Sequence, residues 1–265
     1  MSAPGWLVSR PIAHRGLHDR AAGVIENSLS AARAAVAGNF AIECDVQLSR
    51  DGEAMVFHDF ALDRLTDTQG RVDASNAEAL ANIGLRGGDG EVIPTLAVLF
   101  AEIAGQVPLI VEIKSEFTGG MRLAERTARL AGAYAGPVAL KSFDPQIMTH
   151  LRVNRAALGI AHVPLGVVAE AHYEHEEWAF LNADEKRALS AFLHWQDTRP
   201  EFLSWGVNDL PHSTPHLLRS GLGIPVMTWT VRTAAQRENA RRWADQVIFE
   251  GSGGNVPQTV TGANA

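Results

Sequence analysis

The sequence predicts an α/β fold, a (β/α)8 barrel with a small insertion after a hairpin on its second strand. Short apolar runs that read as strands alternate with stretches of helical spacing along nearly the whole chain. With one hairpin arm set aside, eight such βα units can be counted, within the roughly 250 residues this barrel usually takes. The rival, an open doubly wound sheet, calls for a glycine-rich phosphate turn after the first strand. The sequence there is His14-Arg15-Gly16-Leu17-His18 instead.

Each element has its own signal. Residues 11–14 end a first short strand. Residues 27–38 read as a helix: Asn27 is the expected cap, Leu29, Ala32 and Val36 recur at helical spacing, and Gly38 stops it. Residues 40–48 form the second strand, Ser49-Arg50-Asp51-Gly52 a turn, and 53–58 the return arm of a hairpin. Strands are predicted over 108–114, 137–142 and 163–169. Helices are predicted over 95–105, 123–134 and 145–154, the last with a proline in its first turn. Residues 170–198 read as a longer, mostly helical crossover. A strand over 202–207, a short helix over 214–220, a strand over 224–231, a helix over 234–243 and a strand over 246–249 complete the pattern. Residues 1–250 are thus expected to form one barrel domain, with 59–94 as the small insertion. Residues 251–265, small and polar, read as a flexible tail.

Composition narrows the function classes. The chain has 265 residues, 46% hydrophobic and 20% charged, which is a globular balance. A net charge of −7 argues against a nucleic-acid or anionic-membrane surface, although a local basic pocket is compatible with it. No apolar run approaches the ~20 residues of a spanning helix. Cys44 is the sole cysteine, so an intrachain disulfide and a cysteine zinc site are both excluded. The first ten residues have no basic start and no long apolar stretch, which makes the cytoplasm the expected compartment. Only Lys114, Lys141 and Lys186 are lysines, so each is worth locating.

Barrel enzymes carry their chemistry at the carboxyl ends of the strands. There the sequence places His14 and Arg15, then Glu43-Cys44-Asp45, Phe57-His58-Asp59, Glu112-Ile113-Lys114, Lys141 and Thr228-Trp229-Thr230. Strand side chains alternate, so Glu43 and Asp45 share one face and Glu112 and Lys114 another, with apolar Cys44 and Ile113 turned to the helices. Three carboxylates facing one mouth repel, and the usual resolution is a bound cation or protonation. Oxygen-only ligands favour a hard ion, Mg²⁺ or Ca²⁺, over zinc. A cation together with Arg15, Lys114 and Lys141 would make a receptor for phosphate in an otherwise acidic chain. His14 and His58 can take one proton from a nucleophile and return one to a leaving alkoxide, which phosphodiester cleavage requires.

The ordered set Ala13-His14-Arg15-Gly16, Glu26-Asn27-Ser28, Glu43-Cys44-Asp45, Phe57-His58-Asp59, Leu62-Asp63-Arg64, Ile93-Pro94-Thr95-Leu96, Glu112-Ile113-Lys114 and Lys141-Ser142-Phe143-Asp144 resembles the glycerophosphodiester phosphodiesterase family from about residue 11 to 250. The resemblance implies a (β/α)8 barrel that hydrolyses glycerophosphodiesters to glycerol 3-phosphate and an alcohol. It implies Glu43, Asp45 and Glu112 as ligands of one divalent cation, His14 and His58 as the acid–base pair, and Arg15 and Lys114 as phosphate holders. It also implies that 59–94 shapes the alcohol side. Two departures stand out. Ile25 occupies a position where the family commonly has proline. The last strand runs into Glu250-Gly251-Ser252 where an aspartate and a proline-bearing turn are usual, so the far wall of the site is expected to differ.

Other readings remain open at this point. Trp229 either stacks on the glycerol or fills the barrel. His172 and His175, three apart on an expected helix, would suit a transition metal, a solvated acidic helix face being the simpler reading. A phospholipase acting on lysophospholipids, or a sugar-phosphodiester phosphodiesterase, would use the same residues. The charged run Asp63, Asp67, Asp73, Glu78, Arg86, Asp89, Glu91 in the insertion favours a soluble headgroup over lipid. A catalytically silent phosphate-binding barrel is disfavoured by the presence of both histidines.

Overall fold

In the computed structural model, which describes residues 3–251, eight parallel strands close into a barrel. These are β1 (Ile12–Ala13), β2 (Ala41–Leu48), β4 (Leu109–Ile113), β5 (Val138–Ser142), β6 (Leu165–Ala169), β7 (Phe202–Gly206), β8 (Val226–Val231) and β9 (Gln246–Phe249), while β3 (Ala54–Val56) lies outside the ring. Around the circle, β1 pairs with both β9 and β2, which closes the sheet on itself. β3 is the antiparallel return arm of the hairpin, with Val46 opposite Val56. The helices are α1 (Leu29–Ala37), α2 (Ala77–Leu80), α3 (Leu96–Ile103), α4 (Arg122–Ala133), α5 (Pro145–Val153), α6 (Ala183–Ser190), α7 (Trp195–Thr198), α8 (Ser213–Leu222) and α9 (Ala234–Trp243). Among the described residues, no helix is long and apolar enough to cross a membrane. The expected tail lies outside the described residues, apart from Gly251.

Local chemistry explains the element ends. Thr95, Asp144 and Thr233 cap α3, α5 and α9 through their side-chain oxygens. At α1 the cap is Ser28, whose hydroxyl accepts from the Ala31 amide, and not Asn27 as the sequence suggested. The Asn27 side chain is engaged elsewhere, by Asp45. A second correction concerns 170–198. Residues 170–175 are irregular, a short 3-10 turn covers Glu176–Trp178, and α6 and α7 follow. Burial of Tyr173, whose hydroxyl accepts from the Glu170 amide, pins this stretch into a loop.

The barrel has two apolar layers. Ile12, Ala41, Ile110, Ala139, Phe202, Met227 and Ile248 fill its interior floor, with Leu7 packed beneath from the N-terminal turn. Cys44, Val46, Val111 and Ile113 belong to the outer layer, against the helices. The alternation read from the sequence therefore holds on β2 and β4. The 59–94 segment has a small core of its own, in which Ile25, Phe57, Leu62, Leu65, Val72 and Ile93 are buried.

Register sets the level of the mouth. Asp45 is level with Glu112, and Glu112 with Lys141, so three adjacent strands present charged groups at one height. The β1–α1 turn is fixed by Gly16, which sits at φ +78°. A Cβ there would come within 2.8 Å of the Ala31 Cβ and 2.9 Å of its carbonyl carbon. Gly16→Ala is therefore expected to cost at least about 2 kcal/mol and lower Tm by roughly 4–8 °C. Gly221→Ala, within α8 and meeting nothing inside 4 Å, should be neutral or stabilising. Thermal unfolding of the two variants checks this, and equal melting temperatures would refute it.

Candidate active site

The carboxyl ends of the strands surround a cavity of about 440 Å³ whose wall includes His14, Arg15, Asp45, His58, Glu112 and Lys114, together with Lys141 and Trp229. At its base Glu43, Asp45 and Glu112 are buried, and one oxygen from each can be chosen so that all lie within 4.8 Å of one another. Three cations lie against them, Lys141 buried and Lys114 and Arg15 partly so. Lys114 Nζ is 2.9 Å from Asp45 Oδ1 and 2.6 Å from Glu112 Oε1, and Lys141 Nζ is 3.0 Å from Glu43 Oε1 and 3.1 Å from Glu112 Oε2. Arg15 Nε lies 3.2 Å from Asp45 Oδ2.

This balance supplies a resolution beyond the two the sequence suggested. Burial alone would push the Asp45 and Glu112 carboxyls up. Lys114, with His58 and Arg15, holds Asp45 well below the usual range, and Lys114 with Lys141 holds Glu112 low. Conversely, burial depresses both lysines, but their carboxylate partners more than restore them, so both ammonium groups stay charged. The base of the site is near neutral, with three carboxylates against three permanent cations.

A divalent cation fits this donor set. The ligands are all oxygen, which suits a hard ion. Glu43 Oε1 is fully buried and, although in ion-pair contact with Lys141, makes no well-aligned hydrogen bond. Among the described residues, this is the one cluster of three His, Cys, Asp or Glu side chains at ligand spacing. His172 and His175 do not form a second. They stand on the irregular 170–175 loop, where His172 borders the cavity and His175 Nε2 meets Glu170 at 2.8 Å.

Both site histidines are held by carboxylates. His14 Nδ1 is 2.5 Å from Glu250 Oε1, while its Nε2 lies 3.9 Å from Glu43. His58 Nδ1 is 2.6 Å from Asp59 Oδ1, and the His58 carbonyl accepts from Gln47 Nε2. With Nδ1 committed in each ring, Nε2 is the nitrogen left for proton transfer. Outer arginines keep these carboxylates charged. Arg232 bonds both oxygens of Glu250, and Arg64 bonds Asp59 and reaches on to Glu26. Burial would raise Glu250 and Asp59, but these partners hold both carboxyls low.

Backbone geometry aims the turn residues. Arg15 and Asn27 both adopt left-handed conformations, at φ 55° and 59°. The Arg15 amide thereby donates to Glu43 Oε2, and the Asn27 side chain bonds both the amide and Oδ2 of Asp45. Strained non-glycine backbone at a cluster of charged groups is a common mark of a functional site. Of its two readings, Trp229 shows the packing against the barrel interior. It borders the cavity and packs partly on the interior floor, with Nε1 donating to the Ser204 carbonyl.

The site also contains groups to which sequence reasoning gave no role. Glu26, Asn27, Asp59 and Arg64 stood in recognisable motifs, so their presence was visible and their function was not. Glu250 was visible only as a departure, and Arg232 carried no signal.

Comparison with known proteins agrees with this geometry. A model of the Glycerophosphoryl diester phosphodiesterase family matches residues 14–252. The chain is 32% identical to the protein YhdW of Bacillus subtilis over 85% of its own length and 88% of that protein. A glycerophosphodiester phosphodiesterase of Caldanaerobacter subterraneus is 40% identical over 111 residues, which is 39% of this chain and 44% of the relative, so the matched part spans less than half of that protein. Among solved structures, an Oleispira antarctica phosphodiesterase in complex with the product sn-glycerol-3-phosphate is similar at a TM-score of 0.72 and 19% identity, covering 92% of this chain and 93% of that one. A glycerophosphodiester phosphodiesterase of Thermotoga maritima reaches 0.65 at 22% identity, covering 90% and 92%.

Glu26 offers a stability test of the outer ion pairs. Burial raises its carboxyl, but Arg64 and Arg15 outweigh that and hold it at about 2, against an ordinary value of 4.5. Its contribution is complete above 4.5 and disappears as pH falls toward 2. Glu26→Gln should therefore cost about 1–3 kcal/mol at neutral pH, with the deficit shrinking through that acid window. Urea unfolding at pH 7, 4 and 3 measures it, and a deficit that did not change with pH would remove the linkage.

Proposed function

The chain belongs to the glycerophosphoryl diester phosphodiesterase family and is a phosphodiesterase. From that premise we propose that it hydrolyses glycerophosphodiesters to sn-glycerol 3-phosphate and an alcohol. The observation that carries the proposal is two carboxylate-held imidazoles bordering one cavity with Arg15, Lys114 and two members, Asp45 and Glu112, of a buried acidic triad. The bound product named for the Oleispira antarctica relative supports the same substrate class.

In this reading Glu43, Asp45 and Glu112 hold one Mg²⁺ or Ca²⁺ ion, which when bound would neutralise charge on the phosphoryl group. Arg15 and Lys114 hold the remaining phosphoryl oxygens, with Lys141 adding charge from beneath. The Trp229 ring walls the glycerol. His14 Nε2 takes the proton of the attacking hydroxyl as the new P–O bond forms, either from water or from the substrate's own glycerol 2-hydroxyl, which gives a cyclic phosphate that water then opens to glycerol 3-phosphate. Glu250 stabilises the imidazolium so produced. His58 gives its proton to the alcohol oxygen as the old P–O bond breaks, and Asp59 holds the ring in place.

The test is release of glycerol 3-phosphate from glycerophosphocholine and glycerophosphoethanolamine, first with EDTA and then with Mg²⁺, Ca²⁺ or Mn²⁺ restored. Activity should vanish with the chelator and return with metal. His14→Ala and His58→Ala should each lower kcat by ~10²–10⁴. Turnover that ignored EDTA would remove the cation from the mechanism, and full activity of His14→Ala would remove the acid–base pair.

A further inference from the structure

The phosphate-centred cavity does not end at His58. Beyond it opens a second chamber of about 760 Å³, and His58, Glu112, Lys114, Phe143 and Glu177 border both spaces. The chamber is within the ~300–1,000 Å³ range of sites that bury most of a small ligand. Its wall is largely apolar, built by Phe117 after β4, Phe143 after β5, and Trp178 and Phe180 after β6. These rings touch in sequence. Phe143 and Trp178 have centroids 4.9 Å apart, Phe117 and Phe180 5.7 Å, and Trp178 and Phe180 6.0 Å.

Two features mark the wall as a built surface. Phe117 is held at φ 57°, a strained conformation for a bulky residue. Phe180 is 54% exposed, one of few large apolar side chains left open to solvent. Most acidic groups on the wall are already engaged, Asp63 by the Gly70 amide among them, while Glu177 is exposed to solvent. Asp59 is bonded by Arg64 and His58, and Glu116 by Arg71. Of the insertion charges that suggested a soluble headgroup, Asp63 borders the chamber, whereas Asp67 and Asp73 pair with Arg86 and Arg71. Because the rings abut, they form a continuous wall and not a cage around a point. A wall suits a chain lying along it better than a compact quaternary ammonium group.

Resting on the phosphodiesterase reading above, we propose that this chamber takes a single aliphatic chain carried by the phosphodiester. The preferred substrates are then monoacyl or alkyl glycerophosphodiesters of the lysophospholipid kind, not their fully polar counterparts. The chain is joined to either the glycerol or the leaving alcohol, and either would run past His58 into the chamber.

The experiment compares kcat/KM for glycerophosphocholine, hexanoyl lysophosphatidylcholine and glycerophospho-octanol, all below micelle formation, using the metal-loaded enzyme. Each methylene buried is worth about fourfold. One chain-bearing substrate should therefore exceed glycerophosphocholine at least ~10-fold, and which of the two does so locates the chain. Phe180→Ser, which alters this chamber alone, should bring the ratio near one without changing glycerophosphocholine turnover, and Phe180→Leu should restore it. Equal values for all three, or a preference for glycerophosphocholine, overturn the chamber's assignment and leave the phosphodiesterase reading standing. If no diester is cleaved, that reading fails. The chamber is then decided by octyl phosphocholine titrated against tryptophan fluorescence, where saturable binding lost in Phe180→Ser supports it and no binding overturns it.

Discussion

Glu43, Asp45 and Glu112 can lie together at the base of a barrel mouth only because buried Lys141 and partly buried Lys114 and Arg15 stand against them. Removing one member of such a set leaves an uncompensated charge in a poorly hydrated place, which is far more costly than losing an exposed ion pair. Much of the upper barrel serves this constraint. The β2–β4–β5 register brings Asp45, Glu112 and Lys141 to one level. The left-handed Arg15 and Asn27 turn their polar groups onto Glu43 and Asp45. Gly16 lets the turn approach the first turn of α1 closely enough for that to happen.

The same arrangement links the cation to the phosphate. Lys114 and Arg15 rest on carboxylate oxygens that belong to the proposed metal ligands. A divalent ion held there would compete for those oxygens and leave a surplus of positive charge in the mouth. The ammonium and guanidinium groups then have an anionic partner to gain from a phosphodiester. Binding of metal and of substrate would thereby be coupled through charge. Around this centre, Arg64 ties Asp59 to Glu26, and Glu26 holds Arg15, so the insertion and the β1 turn are joined by alternating charges.

The sequence made legible what depends on short-range pattern. The strand alternation at Glu43-Cys44-Asp45 and Glu112-Ile113-Lys114 correctly sorted inward carboxylates from outward apolar groups, because a strand's two faces are read directly from period two. The hairpin and the order of the eight strands followed in the same way. Tertiary contacts decided the rest. Asn27 looked like a helix cap, but its amide is drawn to Asp45, 18 residues away, and the cap passes to Ser28. The 170–175 stretch looked helical, yet burial of Tyr173 overrides its local preference. Glu250 meets His14 across 236 positions, a pairing that no local pattern reports. The charged insertion was read from composition alone, which does not show that Asp67 and Asp73 pair with Arg86 and Arg71 while Asp63 borders the chamber.

His58 stands where the charged mouth meets the aromatic chamber. That position matters for the chemistry assigned to it. A general acid must keep its proton until the alcohol oxygen departs, and it does so best where water is scarce and its orienting partner is fixed. Asp59, itself clamped by Arg64, supplies the fixed partner. An apolar occupant against Phe117, Trp178 and Phe180 would supply the dryness, because it displaces water from the space beside the imidazole. Substrate binding in the chamber and proton transfer at His58 are then parts of one event. The energy released by burying such a chain would be used beside the bond that breaks, which is how remote binding raises the rate and not only the affinity.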